Sequence, residues 1–291
     1  MSYYRILGFQ KEPFSTSPDP NFFYLTKEHE TALTNVLIEL RLRRGLSVVL
    51  GDIGTGKTSL SRKLIQCLRE RGDFIIHIVL DPCFESEHLF LTSLVRNFEI
   101  NMAQYGGPIE KNSLQPTVLD LKEALEKFLY QKCIVENKTV VLIVDEAQKL
   151  SEVSMEMLRV ILNYETNENK LLQLVLLGQL ELHSKIVNIP NFFDRVSFKY
   201  VLNPLGFDET KDLINFRIRQ AGYVSHSRIF LDDAIRLIHK VSRGYPRKVT
   251  SLCHRSLKNL VAKNKWSVDE MIVREIVEED IHSGWLAPIL R

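Results

Sequence analysis

A chain of 291 residues, 45% of them hydrophobic, carries enough apolar material for one large or two moderate domains, which excludes a disordered or fibrous protein. Lysine and arginine (38) nearly balance aspartate and glutamate (36), and the net charge of +2 excludes a global basic field for nucleic acid or anionic membrane, though not local patches. Cys67, Cys83, Cys133 and Cys253 stand apart, with no CxxC and no histidine at metal-ligand spacing, and read as reduced thiols of a cytosolic protein.

The first residues, Met1-Ser2-Tyr3-Tyr4-Arg5, lack the charged and apolar regions of a secretory signal. No run approaches the roughly 20 apolar residues of a membrane span, so a soluble cytoplasmic protein is expected. Up to residue 24 the chain mixes turn formers with large aromatics: Gly8-Phe9, Pro13-Phe14, Pro18-Asp19-Pro20 and Phe22-Phe23-Tyr24. These rings either wall an adenine pocket or clip the N-terminus to the core. From Thr26, a helix N-cap by type, Leu33, Val36, Leu37 and Leu40 recur at helical spacing until Arg41, Arg43, Arg44 and Gly45. Cations there complement the helix dipole or offer a phosphate-binding patch.

The short apolar run Val48-Val49-Leu50 then leads into Gly51-Asp52-Ile53-Gly54-Thr55-Gly56-Lys57-Thr58, which fits G-x-x-x-x-G-K-[ST], with Ser59 following. This reads as a phosphate-binding loop: glycines let backbone N–H groups turn inward, Lys57 brings positive charge to the β- and γ-phosphates, and the Thr58 hydroxyl suits Mg²⁺. The helix opening near Lys57 adds its positive end. That helix is expected to reach about residue 71, followed by a buried strand over 74–79 with His77 inside it and a helix from about 86 to 98. Gly106-Gly107-Pro108 marks a loop, and 117–134 a further helix.

Val140-Val141-Leu142-Ile143-Val144 is a continuous aliphatic run, as a strand buried on both faces of a parallel sheet requires, and it ends in Asp145-Glu146. Asp145 is placed to reach Mg²⁺ on the Thr58 side, and Glu146 to polarise an attacking water. A helix is expected over 151–165, a fourth strand over 171–177, and a fifth over 198–202. Ligand chemistry in such sheets lies beyond the C-terminal ends of the strands, which puts Gln179 near the γ-phosphate or the water. Strands alternating with helices imply a parallel sheet covered on both faces. After Pro204-Leu205-Gly206, read as a linker, only helical patterns follow (about 208–221, 231–242, 247–263 and 268–280). The expected division is an α/β nucleotide-binding domain over 1–203 and an all-helical lid over 204–291.

The phosphate loop, the Asp145-Glu146 strand, a polar residue ending the next strand, Arg195 before the fifth strand and Gly244-Tyr245-Pro246-Arg247 in the lid together resemble the AAA+ ATPases. Phe9 with Pro13-Phe14, Pro18-Asp19-Pro20, Asp145-Glu146-Ala147-Gln148, Leu177-Gly178-Gln179 with Glu181-Leu182, and Gly244-Tyr245-Pro246-Arg247 are similar to the general secretion pathway protein A (ExeA-like) family, over about residues 3–280. The resemblance implies a Mg²⁺-dependent ATPase with a five-stranded parallel sheet and a helical lid. Lys57 and Thr58 then match Walker A, Asp145 and Glu146 match Walker B, Gln179 sits at sensor 1, and Arg247 matches sensor 2. Arg195 stands where the family carries an arginine finger donated to a neighbouring subunit, with Arg217, Arg219 and Lys199 as nearby cations for the same role. Adenine rather than guanine also rests on the family. It implies a homo-oligomer, ring or filament, whose ATP cycle organises a secretion, pilus or exopolysaccharide assembly at the inner membrane. Members of that family continue into a membrane span and a cell-wall-binding part that are not in this sequence, so the shorter soluble relatives set the expectation. The alternative is an ATP-gated adaptor on duplex DNA, of the transposition type, with Arg41, Arg43, Arg44 and Arg255, Lys258, Lys263, Lys265 as phosphate contacts.

Overall fold

The computed structural model describes residues 2–15, 19–105, 116–224 and 228–285. Met1, Pro18, the Gly106-Gly107-Pro108 loop and residues 286–291 lie outside them. Five parallel strands form one sheet among the described residues: β1 (Leu46–Gly51), β2 (Phe74–Val79), β3 (Thr139–Val144), β4 (Leu172–Gly178) and β5 (Val196–Leu202), in the order β2-β3-β4-β1-β5. The helices are α1 (Tyr3–Ile6), α2 (Lys27–Arg41), α3 (Lys57–Arg69), α4 (Glu87–Asn97), α5 (Met102–Tyr105), α6 (Val118–Tyr130), α7 (Glu152–Ile161), α8 (Glu181–Val187) and α9 (Pro190–Phe193). The C-terminal part contributes α10 (Phe207–Gln220), α11 (Asp232–Ser242), α12 (Pro246–Ala262) and α13 (Glu270–His282). The expected α/β core and its parallel sheet are observed.

The chain forms two compact units. The α/β unit comprises Glu28–Asp52 and Leu60–Leu202. In it β1, β3 and β4 are buried at every position, whereas β5 alternates half-buried and exposed residues before Leu202, as an edge strand with one covered face does. Each fully buried Val, Leu or Ile on β3 contributes about 1.5–3 kcal/mol of transfer free energy. Leu142, Leu174 and Leu176 pack with Phe90, Leu125, Phe128 and Leu158 from the covering helices. Those helices start at side-chain caps: Ser86 accepts from Leu89 N, Ser151 from Ser154 N, and Thr117 forms a reciprocal capping box with Asp120. The helix expected over 151–165 stops at Ile161, because Thr166 and Asn169 close a tight turn and Leu171 N returns to Tyr164 O. Of the cations ending α2, Arg43 donates to Cys133 O, Thr139 Oγ1, Asn137 Oδ1 and Lys138 O, tying the helix end to the start of β3.

The second unit contains residues through Lys27, Ile53–Ser59 and the chain from Asn203. Its core joins Phe9, Phe14 and Phe22 to Ile214, Ile235, Ile238, Leu257 and Ile272, so these rings clip the N-terminal segment to the C-terminal helices. Leu205, inside the expected linker, is buried in the same core, and its N–H donates to Gly244 O at 2.9 Å. Arg217 is the polar pin of the unit. It is 8% exposed and donates to Phe22 O, Ser15 O and Thr250 Oγ1. Burial pushes its pKa down, the cost of seating a guanidinium among neutral acceptors. Arg217→Ala strands those buried acceptors and is expected to cost about 2–4 kcal/mol, read by urea unfolding, with faster proteolysis before residue 27. An unchanged unfolding midpoint would remove Arg217 as the pin.

Candidate functional site

The sheet order brings together strand ends that lie far apart in the chain. β4 pairs with β1 on one side, Leu50 opposite Gly178, and with β3 on the other, Val144 opposite Leu176. All three strands run the same way, so Gly51-Asp52, Gln179 and Asp145-Glu146 leave the same edge of the sheet. That edge is where ligands bind in open α/β sheets.

On the α/β unit, Asp145 is 3% exposed; its N–H donates to Val79 O, and its Oδ1 accepts the Glu146 N–H at 2.9 Å. Glu146 adopts φ +52°, a left-handed conformation that a non-glycine residue holds at a cost of order 1–3 kcal/mol. The turn turns its carboxylate to Gln148, whose Nε2 donates to Glu146 Oε2 at 2.6 Å. Gln179, at the end of β4, donates its backbone N–H to Gln148 Oε1 at 3.0 Å. Sequence reasoning assigned Gln148 no role. The phrase Asp145-Glu146-Ala147-Gln148 was the available signal, but only tertiary pairing exposes its use.

On the second unit, the loop Ile53–Ser59 carries Gly54 at φ +87° and Gly56 at φ +103°, conformations that L side chains resist. Thr55 and Lys57 are buried, Ile53 is exposed, and Thr58 and Ser59 are half-buried. Lys57 opens α3, so the loop leads directly into the positive N-terminal end of that helix. Arg247 lies against this loop: its N–H donates to Gly54 O at 3.4 Å, and a Cβ on Gly54 would come within 3.1 Å of the Arg247 Cβ. Pro246 at the first position of α12 sets that approach. Arg195, between α9 and β5, is held on the α/β unit. Its Nε donates to Asn163 Oδ1 at 3.1 Å, Nη2 bonds the same oxygen, and Nη1 bonds Asn191 O. Of the neighbouring cations, Arg217 is committed to the N-terminal segment and Lys199 lies over the Phe193 ring at 5.7 Å.

By residue type alone the candidate donors suit a magnesium nucleotide. Thr58 and Asp145 offer hard oxygens of the kind Mg²⁺ takes alongside phosphate oxygens. Gly54 and Gly56, both at positive φ, allow the tight backbone turn that a phosphate-binding loop needs. No cluster of three or more His, Cys, Asp or Glu suited to a metal occurs among the described residues. Four of the cations considered for nucleic acid pair with the chain's own acids: Arg44 with Glu39 at 3.6 Å, Arg255 with Asp280 at 2.5 Å, Lys263 with Glu275, and Lys265 with Asp269 at 2.9 Å.

A parallel sheet of this order, with a phosphate loop after β1 and an acidic pair after β3, defines a P-loop nucleoside triphosphatase. The chain belongs to the AAA domain family, a family of P-loop ATPases, whose model matches residues 40–186. It is 32% identical over 257 residues to general secretion pathway protein A of Aeromonas hydrophila, a match that covers 88% of this chain and 44% of that protein. The chain therefore spans less than half of that relative's length. Among solved structures it is similar to the ORC2 protein of Aeropyrum pernix (TM-score 0.61, 19% identity, 89% of this chain and 71% of that one). It is also similar to Cdc6p of Pyrobaculum aerophilum (TM-score 0.62, 18% identity, 88% and 67%). These structures share the fold. No helix among the described residues is long and apolar enough to cross a membrane.

Gly54→Ala is expected to cost about 1–2 kcal/mol from its backbone conformation alone and to push the first turn of α12 off the loop. Urea unfolding checks it, and a midpoint equal to that of the native chain would discount the contact between Gly54 and Arg247.

Proposed function

We propose that this chain binds and hydrolyses Mg²⁺-ATP in an oligomer, and that the cycle organises a cell-envelope assembly of the secretion, pilus or exopolysaccharide type at the cytoplasmic face of the inner membrane. The observation that carries the reading is the shared edge of β1, β4 and β3, with the phosphate loop, Gln179 and the acidic pair following those strands. The similarity to general secretion pathway protein A supports the envelope role. We divide the chain into a nucleotide-binding domain over 1–203 and a helical lid over 204–291.

In this reading the amides of Gly51, Asp52, Ile53, Gly54, Thr55, Gly56, Lys57, Thr58 and Ser59 cradle the phosphates, and Lys57 balances their charge. Thr58 and Asp145 would hold Mg²⁺, which would supply positive charge to the phosphate oxygens. Glu146 orients a water and accepts its proton. Gln179 hydrogen-bonds near the γ-phosphate, and Arg247 reaches it from the lid of the same subunit. Arg195 leaves Asn163 to stabilise the charge developing on a neighbour's nucleotide. Such an arginine finger contributes about three to five decades in rate. The second reading, an ATP-gated adaptor on duplex DNA, is less favoured because most of its cations are paired with the chain's own acids.

Lys57→Ala is expected to lose ATP affinity by about tenfold or more, while Glu146→Gln keeps affinity and loses turnover by about 10²–10⁴-fold. Equilibrium binding and steady-state hydrolysis check both, and wild-type turnover in Glu146→Gln would overturn the base assignment. Arg195→Ala alone is expected to lose about three decades in turnover and to regain part of it when mixed with Lys57→Ala. Hydrolysis by Arg195→Ala at the wild-type rate would exclude it as the finger.

A further inference from the structure

Gln148 is held on three sides. Its Nε2 donates to Glu146 Oε2 at 2.6 Å, its Oε1 accepts the Gln179 N–H at 3.0 Å, and its backbone oxygen accepts from Lys185 Nζ at 2.6 Å. Lys185 also donates to Leu150 O at 3.1 Å, clamping α8 onto the short turn Ala147–Lys149. The two side-chain partners decide the chemistry. One is an N–H that needs an acceptor, the other a carboxylate that needs a donor, and the primary amide of Gln148 serves both from a single side chain. An ionised glutamate has no donor, a lysine has no acceptor, and an asparagine is one methylene shorter. The close approach is built into β4 as well: a Cβ on Gly178 would stand 3.3 Å from Gln148 N and 2.6 Å from Leu182 Cδ2.

We propose that Gln148 is a positioning residue that ties the Glu146 carboxylate to the end of β4, so that a displacement at Gln179 is passed to Glu146. The tie holds the left-handed Glu146 in one orientation. It consists of two hydrogen bonds and involves no residue of the phosphate loop, so it acts on turnover and leaves nucleotide affinity alone. The inference rests on the reading of Glu146 as the base that activates water.

Two variants of the full chain separate the two halves of the tie. Gln148→Met keeps the length and loses both polar atoms; Gln148→Glu, when ionised, keeps the acceptor for Gln179 and replaces the donor to Glu146 by a like charge. Hydrogen exchange of the Gln179 amide, measured without nucleotide, is expected to speed up about tenfold in Gln148→Met and to stay within about twofold of wild type in Gln148→Glu. Both variants are expected to lose kcat by about tenfold or more, with affinity for a non-hydrolysable ATP analogue within about twofold of wild type. A protected Gln179 amide in Gln148→Met, wild-type kcat in either variant, or analogue affinity that falls in step with kcat would overturn the proposal. The glutamate variant keeps the bond to β4, so it carries the test if the methionine variant unfolds. Glu146→Gln is measured alongside. If it hydrolyses ATP at the wild-type rate, the base assignment fails and takes the role of Gln148 with it; if only the Gln148 variants behave as wild type, the base assignment stands and the tie alone is wrong.

Discussion

The parallel sheet buried on both faces is the constraint on which the rest depends. β1, β3 and β4 have no solvent face, so helices must cover both sides. The strands all run the same way, so each connection crosses over the sheet. Their C-terminal ends fall along one edge as a consequence of that common direction, before any functional residue is considered. Because β4 lies between β1 and β3, Gln179 sits between the strand that leads to the phosphate loop and the strand that ends in the acidic pair.

Much of this was legible in the sequence, and for a physical reason. A doubly buried strand favours aliphatic residues, as in Val140 to Val144 and in Leu172 to Leu177, which Gln173 alone interrupts. The longer helices announce themselves by apolar spacing and by caps such as Ser86, Thr117 and Ser151. The phosphate loop is legible because it needs fixed residue types over a few consecutive positions. The helices of one or two turns, α1, α5, α8 and α9, were missed, since so few residues display no periodicity. The end of α7 was placed too late because the turn that stops it depends on Thr166 and Asn169 folding back on each other.

Polar side chains buried by tertiary contact were the least legible. Arg43 read as a dipole complement or a phosphate contact, yet its partners lie about 90 residues away on the approach to β3. Arg217 read as a spare cation, yet it holds the N-terminal segment by its carbonyls. Gln148 read as part of a phrase, yet it links two strand ends. In each case the residue type permits many partners, and the fold selects among them. The N-terminal aromatics behave differently: their need for cover was plain, and the structure supplies it from α10, α11, α12 and α13.

The measurement that bears most directly on the proposed function is steady-state ATP hydrolysis as a function of protein concentration, with and without duplex DNA at two salt levels. Turnover per subunit that rises with concentration and is indifferent to DNA is the expected result, because the proposed site draws an arginine from a neighbouring subunit. Turnover independent of concentration, or stimulated by DNA in a manner that salt abolishes, would contradict shared sites in an envelope assembly and put the DNA adaptor in their place.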